Sequence, residues 1–466
     1  MRDADRLVCA GCGASPPPSA PFPFRCPNAG IGDVDHVLRL VQPAGMSFPA
    51  GEGDPNPFIR YRTLLHAHQF GLAHGLSDDG FCAIVRRLDD AVAAVDGRGF
   101  AFTPFGRSEA LSDRLGFSSE GGVFVKDETG NVSGSHKARH LFSVLLQLEV
   151  AEAVGLADPR KRPQLAIASC GNAALAAAVL AAAAGRALRV FVPVDADPSV
   201  LRRLEELGAQ VSVCPRSPGA PGDPTYAALL AALEAGALPF TCQGNLNGLA
   251  VEGGKTIGYE LVSQLAQLDT TLDRIVVQVG GGALASAVAA ALREAVDLGA
   301  LAHSPRLDTV QTAGAWPLRR AFDLVSAHHA HALTYAAHHR SEFMWPWEEE
   351  PHSIAGGILD DETYDWLAVV EAMLATGGRP VVALESTLEQ AHALARRRTG
   401  IDVDPTGASG LAGLLMLLSA GEVGPDERVA LLFTGVTRTS TTTRKESRDE
   451  ELPRARHPVA QGLRTR

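Results

Sequence analysis

Lysine is scarce in this chain. Of its 42 basic residues, five are lysines (Lys126, Lys137, Lys161, Lys255 and Lys445) and the other 37 are arginines. A guanidinium stays protonated and forms no imine, so lysines kept in such a sequence are candidates for nucleophilic chemistry. Basic charge as a whole is also short. Against 53 acidic residues it leaves a net charge of -11, which excludes nucleic acid as the main partner, since phosphate binding needs a basic field. Long apolar runs are missing too. The longest, the alanine-rich 173–184, has no bulky core sufficient for a membrane span, and no apolar segment follows the charged start at Met1–Arg6. Neither a membrane span nor a secretory leader is expected. Seven cysteines, an odd and scattered set, exclude a disulfide framework and point to a reducing, cytoplasmic compartment. What remains, 46% hydrophobic and 20% charged, is an ordinary globular composition, and 466 residues suggest two or three lobes.

The chain is organised around residues 123–140, VFVKDETGNVSGSHKARH. An apolar strand at 123–125 runs into a polar turn through Asn131 and Gly134, and a helix opens near Ser135. Lys137 falls in the first turn of that helix. There the positive end of the dipole and the nearby Arg139 disfavour its ammonium form. An ordinary solvated lysine at a helix start remains the alternative on these residues alone.

The segment resembles the Schiff-base lysine region of the fold type II pyridoxal-phosphate (PLP) enzymes, the tryptophan synthase β-subunit superfamily. Within that group it is most similar to threonine synthase, with Lys126, Glu128, Asn131, Gly134, Ser135, Lys137 and Arg139 matching K-x-E-x-x-N-P-T-G-S-[FH]-K-x-R. Val132 and Ser133 replace Pro and Thr, and Ala138 stands where threonine synthases carry Asp. The resemblance implies an α/β fold with two lobes of mostly parallel sheet covered by helices, and PLP in the cleft between them.

Alternating units bear out a parallel architecture in the sequence itself. Strands at 165–168, 189–192 and 210–214 alternate with helices at 173–184, 199–207 and 226–235. Helix 253–265, strand 274–279, helix 283–295, strand 380–384, helices 388–399 and 406–418 and strand 429–433 follow. This divides the chain into an N-terminal extension (1–100), a large PLP-binding lobe (101–136 and 244–438), a small lobe (137–243) and a disordered tail (439–466). Residues 301–360 are the least regular, and the five histidines within 328–339 read as a solvated connection rather than a metal site.

Three further elements complete the site that the resemblance implies. Gly280, Gly281, Gly282 and Ala283 lie between a strand and a helix, where backbone N–H groups and the helix N-terminus can cradle a phosphate dianion. Ser169, Cys170, Gly171 and Asn172 form an S-x-G-N turn that can clasp a substrate carboxylate. By resemblance Asn172 also contacts the ring's 3-oxygen, and Cys170 is a small packing residue. Thr434 follows the last strand where related enzymes set a hydroxyl or thiol against the pyridine nitrogen, with Ser409 as the fallback. A hydroxyl does not keep that nitrogen protonated, which suits elimination and replacement better than transamination.

The expected activity is threonine synthase-like: loss of phosphate from O-phosphohomoserine and hydration to threonine, with Lys137 as imine and then proton shuttle. The alternative is β-elimination from serine, threonine or diaminopropionate, and a non-catalytic PLP-binding homologue is the third reading. The substrate is a small amino acid and the expected assembly a homodimer. A substrate phosphate needs cations beyond the cradle. Lys255, the histidines of 328–339 and Arg438 are the candidates. Near the N-terminus Cys9, Cys12 and Cys26 have partial zinc-knuckle spacing, but Ala29 stands where a fourth cysteine would fall. The expectation is a remnant without metal, Asp33 and His36 being the residues that could complete it.

Overall fold

Strand–helix alternation builds two parallel sheets in the computed structural model, which describes residues 6–51, 53–216, 222–328 and 331–438. The expected disordered tail lies outside these residues. An antiparallel pair, β1 (Arg6–Cys9) and β2 (Leu38–Val41), forms the N-terminal extension together with helices His66–Ala73 and Asp78–Asp96. β3 (Phe105–Arg107) and β4 (Gly122–Asp127) enter the large sheet. β5 (Leu165–Ala168), β6 (Leu188–Val192), β7 (Gln210–Val213) and β8 (Leu238–Pro239) make the smaller one, in the order β7-β6-β5-β8. β9 (Arg274–Gln278), β10 (Arg306–Thr312), β11 (Pro380–Ala383) and β12 (Arg428–Phe433) complete the large sheet as β11-β10-β9-β12-β4-β3. Every pairing in both is parallel except β3 against β4.

Helix Lys137–Ala153 is buried along almost its whole length, from Ala138 to Ala151, between helices Leu249–Gln267 and Asn172–Ala183. All-round burial explains why helix Asn172–Ala183 lacks a polar stripe. Glycine lets them approach: a Cβ on Gly253 would lie 1.9 Å from the Arg139 carbonyl oxygen.

The sequence reading missed β10, a central strand, within its irregular 301–360. Its sequence RLDTVQT reads as half-exposed, yet Asp308, Thr309, Gln311 and Thr312 are buried. Specific partners offset much of this burial: Asp308 pairs with Arg274 and accepts from the Arg379 amide at 2.9 Å, and Gln311 Oε1 accepts from the Arg319 amide at 3.1 Å. The same region holds helices Pro317–Ala327 and Ala332–His338; His328, His331 and His339 flank them and His338 closes the second. His338 and His339 each place Nδ1 2.9 Å from a backbone carbonyl one turn earlier.

Candidate active site

The carboxyl ends of β4, β12 and β9 converge, the usual place for a ligand in an open parallel sheet. From β4 the chain turns sharply. Asn131 Oδ1 accepts from the Val132 amide at 2.7 Å, Ser133 adopts φ +55 and Gly134 φ +69. A left-handed serine is a strained conformation, and at Gly134 a Cβ would lie 2.5 Å from Val436 Cγ1. Ser135 then bridges Gly435, and the His136 amide donates to the Thr434 carbonyl at 3.1 Å. This reversal delivers Lys137, half-buried, to the start of its helix beside Thr434. The helix opens at Lys137, two residues later than the sequence suggested.

Beneath the turn lies a fully buried ionic network. Arg139 donates to Glu128 through Nε (2.8 Å) and Nη2 (3.0 Å) and to Glu260 through Nη1 (2.6 Å). Lys126 Nζ donates to Glu260 at 2.6 Å and to the Thr103 carbonyl at 2.8 Å, and Asn131 Nδ2 donates to Glu128 at 2.7 Å. Two cations and two anions cancel, and all four side chains are sealed from water. Arg139 is therefore committed to these carboxylates. Much of the lysine motif is scaffolding for the reversal that presents Lys137.

The glycine turn after β9 is pressed against residues 357–365. A Cβ on Gly280 would lie 2.3 Å from Asp360 Oδ2, and one on Gly282 (φ +94) 2.9 Å from Thr363 Cγ2. The Asp360 carboxyl stands against this turn at the N-terminus of helix Ala283–Asp297, where the Gly281 amide favours its charged form. Burial pushes the Asp360 carboxyl up to about 6, against the opposing pull of the Lys137 charge. Burial likewise lifts Asp365 to about 7. One of its oxygens faces the Gly244 amide at 3.3 Å, and Oδ1 is buried without a partner. These acids escaped the sequence reading; the only trace is the run Asp360-Asp361-Glu362 after Gly356-Gly357.

Thr434 is buried at the end of β12. Its Oγ accepts from Gln278 Nε2 at 2.7 Å, and the same amide nitrogen faces the carbonyls of Gly407 and Leu432 at 3.1 Å. The carbonyls identify the group as the amide nitrogen. One of its two N–H groups goes to Thr434 Oγ, the shortest contact, and the other is shared by the two carbonyls, so the threonine hydroxyl receives one hydrogen bond and keeps its own proton to donate. Ser409, by contrast, gives its hydroxyl to the Pro405 carbonyl at 2.8 Å. Asn172 does not cap its helix with its side chain. It donates to Asp404 Oδ2 at 3.2 Å and accepts from Arg438 Nη2 at 2.8 Å, bringing the S-x-G-N turn against the Thr434 strand end. Cys170 is exposed, so it is not the packing residue expected. Desolvation by the cleft walls, then the charges of Asp195, Asp223 and Asp360, raise its thiol above the usual range. Of the cations considered for a second phosphate, Lys255 is buried between Glu252 and Glu294 at 2.8 Å each, while Arg438 lies in the cleft.

Residues 98–435 match the family model described as "Pyridoxal-phosphate dependent enzyme". The threonine synthase of Methanosarcina acetivorans is 27% identical over 336 residues, 72% of this chain and 74% of that protein. The threonine synthase of Methanocaldococcus jannaschii is 28% identical over 191 residues, and the match spans 41% of this chain and only 43% of that protein. Among solved structures, maize serine racemase superposes with a TM-score of 0.57 at 19% identity, over 77% of this chain and 94% of that one, a likeness of fold. Among the described residues no helix is long and apolar enough to cross a membrane.

Proposed function

The chain belongs to the family of pyridoxal-phosphate dependent enzymes, and on that footing we propose that it is an amino-acid lyase of the threonine synthase type. The reaction would remove phosphate from O-phosphohomoserine and add water to give threonine. The observation that carries the reaction class is the Thr434 hydroxyl, which accepts from Gln278 and has its own proton free. Such a group can donate to an unprotonated ring nitrogen, whereas a carboxylate there would hold the nitrogen protonated.

The residues present fit the cofactor. Gly280, Gly281 and Gly282 leave no room for side chains, and the Gly281 amide favours a negative charge on the neighbouring Asp360 carboxyl. Ser135 Oγ and Asp365 Oδ1 are buried polar atoms without partners. Bound there, pyridoxal phosphate supplies the electron sink that acidifies the substrate's Cα–H. Lys137 would hold it covalently, the glycine turn and Ala283 its phosphate, Asn172 its 3-oxygen and Thr434 its ring nitrogen. The Ser169, Cys170, Gly171 and Asn172 turn would hold the substrate carboxylate, leaving Lys137 to take and return protons at Cα and Cβ.

A specific observation favours a second reading, β-elimination from serine, threonine or diaminopropionate. The cleft wall near Cys170 is acidic, with Asp195, Asp223 and Asp360 acting on that thiol. Lys255 is already paired with carboxylates, and so is Arg340 with Asp35 and Glu362. A second phosphate would have Arg438 and few other cations to meet it. Steady-state assays over O-phosphohomoserine, serine, threonine and diaminopropionate decide between the two. Phosphate release with threonine formation supports the first; ammonia and a 2-oxo acid without phosphate turnover support the second. Racemisation of serine as the sole activity would overturn both.

A further inference from the structure

We propose that Cys9, Cys12, Cys26 and His36 form a structural zinc site that staples the N-terminal extension. The four ligand atoms all lie within 4.8 Å of one another. Cys12 Sγ is 3.5 Å from Cys26 Sγ, and Cys9 Sγ is 3.5 Å from His36 Nδ1. A tetrahedral zinc with Zn–S about 2.3 Å and Zn–N about 2.0–2.1 Å would separate sulfurs by about 3.8 Å, and sulfur from nitrogen by about 3.5 Å.

The surroundings are arranged for thiolates and for one histidine tautomer. The Cys12 amide points at Cys9 Sγ (3.5 Å) and the Asn28 amide at Cys26 Sγ (3.3 Å), while Asn28 Nδ2 lies 3.7 Å from Cys12 Sγ. Three N–H groups aimed at sulfur are what anionic sulfur requires. His36 Nε2 faces the Ile31 carbonyl at 3.1 Å. Nε2 must donate there, so Nδ1 turns its lone pair toward the cysteines, the partner arrangement that orients a ligating histidine. Gly11 lets the first turn close on the second: a Cβ there would lie 2.4 Å from the Asp35 carbonyl oxygen. Three cysteines and a histidine fill a tetrahedron and leave no open position, so the site is structural. The missing fourth cysteine at Ala29 is made good from ten residues beyond Cys26.

The staple bears on the rest of the molecule. Asp35, next to His36, accepts from Trp366 Nε1 at 3.1 Å, and its amide donates to the Ala337 carbonyl at 2.8 Å. The Phe24 carbonyl, two residues before Cys26, accepts from the Gly248 amide at 2.9 Å. The metal would thus fix the loop that covers Trp366, the neighbour of Asp365.

The test is metal content and cobalt spectroscopy on the full chain. Purified protein, or metal-stripped protein given zinc alone, should hold one zinc per chain. Cobalt(II) in its place should show tetrahedral ligand-field bands and thiolate charge-transfer absorption. His36→Cys should keep a full equivalent and strengthen the thiolate absorption. His36→Ala should weaken binding by more than the about 10–100-fold that loss of an outer-sphere partner costs, and Cys214→Ser should leave it unchanged. Wild-type protein that neither contains nor takes up zinc, or a cobalt protein without thiolate bands, overturns the proposal. So does His36→Ala binding as tightly as wild type.

Discussion

Replacing Arg139 with methionine tests whether the lysine motif is scaffold. The guanidinium has no exposure and contacts two carboxylates that are equally sealed. Methionine fills similar space but leaves two anions against one cation, Lys126. Breaking a buried pair in this way costs about 3–5 kcal/mol. Unfolding entropy of about 2.1 cal/mol/K per residue, over roughly 430 residues melting as one unit, gives about 0.9 kcal/mol/K, so the melting temperature should fall by about 3–6 °C. The loss should also depend on pH. Burial alone would raise the Glu128 carboxyl, but Arg139 and then Lys126 hold it below its usual range. A depressed carboxylate contributes stability above its unfolded value of about 4.3, and that stability is lost as pH falls through the folded value. Without Arg139 the carboxyl rises and takes up a proton at milder acidity, which relieves the buried charge. The gap between variant and wild type should therefore be widest where Glu128 is ionised in both proteins and narrow as pH falls and the variant's carboxyl protonates first. Arg139→Met with Glu128→Gln should recover part of the loss. Melts followed by circular dichroism at fixed scan rate measure this. A drop under about 1 °C, or a gap independent of pH, would refute the reasoning.

Thr434→Ser should keep cofactor binding and turnover within a few-fold, whereas Thr434→Asp should bind cofactor and lose elimination in stopped-flow assays; equal turnover in both would mean that Thr434 does not face the ring. Asp360→Asn should tighten pyridoxal-phosphate binding relative to wild type, increasingly so as pH rises through about 6, because the wild-type carboxylate then ionises against the incoming phosphate; fluorescence titrations from pH 5.5 to 8 check this, and a ratio constant with pH counts against it. Gly280→Ala, whose Cβ would meet Asp360 and Ile358, should reduce cofactor retention in gel-filtered protein by at least about tenfold, about 1.4 kcal/mol; unchanged retention would show that the turn is not the cradle.

Much of this architecture was legible in the sequence where apolar strands end in glycine or a hydroxyl, as at 274–282 and 428–434. It was not legible where buried strands carry polar side chains. In β10 the burial of Asp308 depends on Arg274, and no local pattern encodes that partnership. Lys137, Asn172, Thr434 and the glycine turn stand out as candidates in the sequence because each sits at a strand end or helix start. Gln278, Asp360, Asp365 and Asp404 do not, since their roles come from contacts between distant segments, such as Asn172 with Asp404. For the cysteine set the sequence offers Asp33 and His36 alike as a fourth ligand, and it is the folded hairpin that brings His36 to Cys9.

The most direct test of the central claim uses the scarcity of lysine. Borohydride reduction of the protein loaded with pyridoxal phosphate, followed by peptide mass spectrometry, reports which of five lysines carries the cofactor. The account predicts one phosphopyridoxyl group per chain on Lys137, and loss of both the label and the visible absorbance in Lys137→Ala. Label on Lys126, Lys161, Lys255 or Lys445 instead, or visible absorbance that survives in Lys137→Ala, would contradict it.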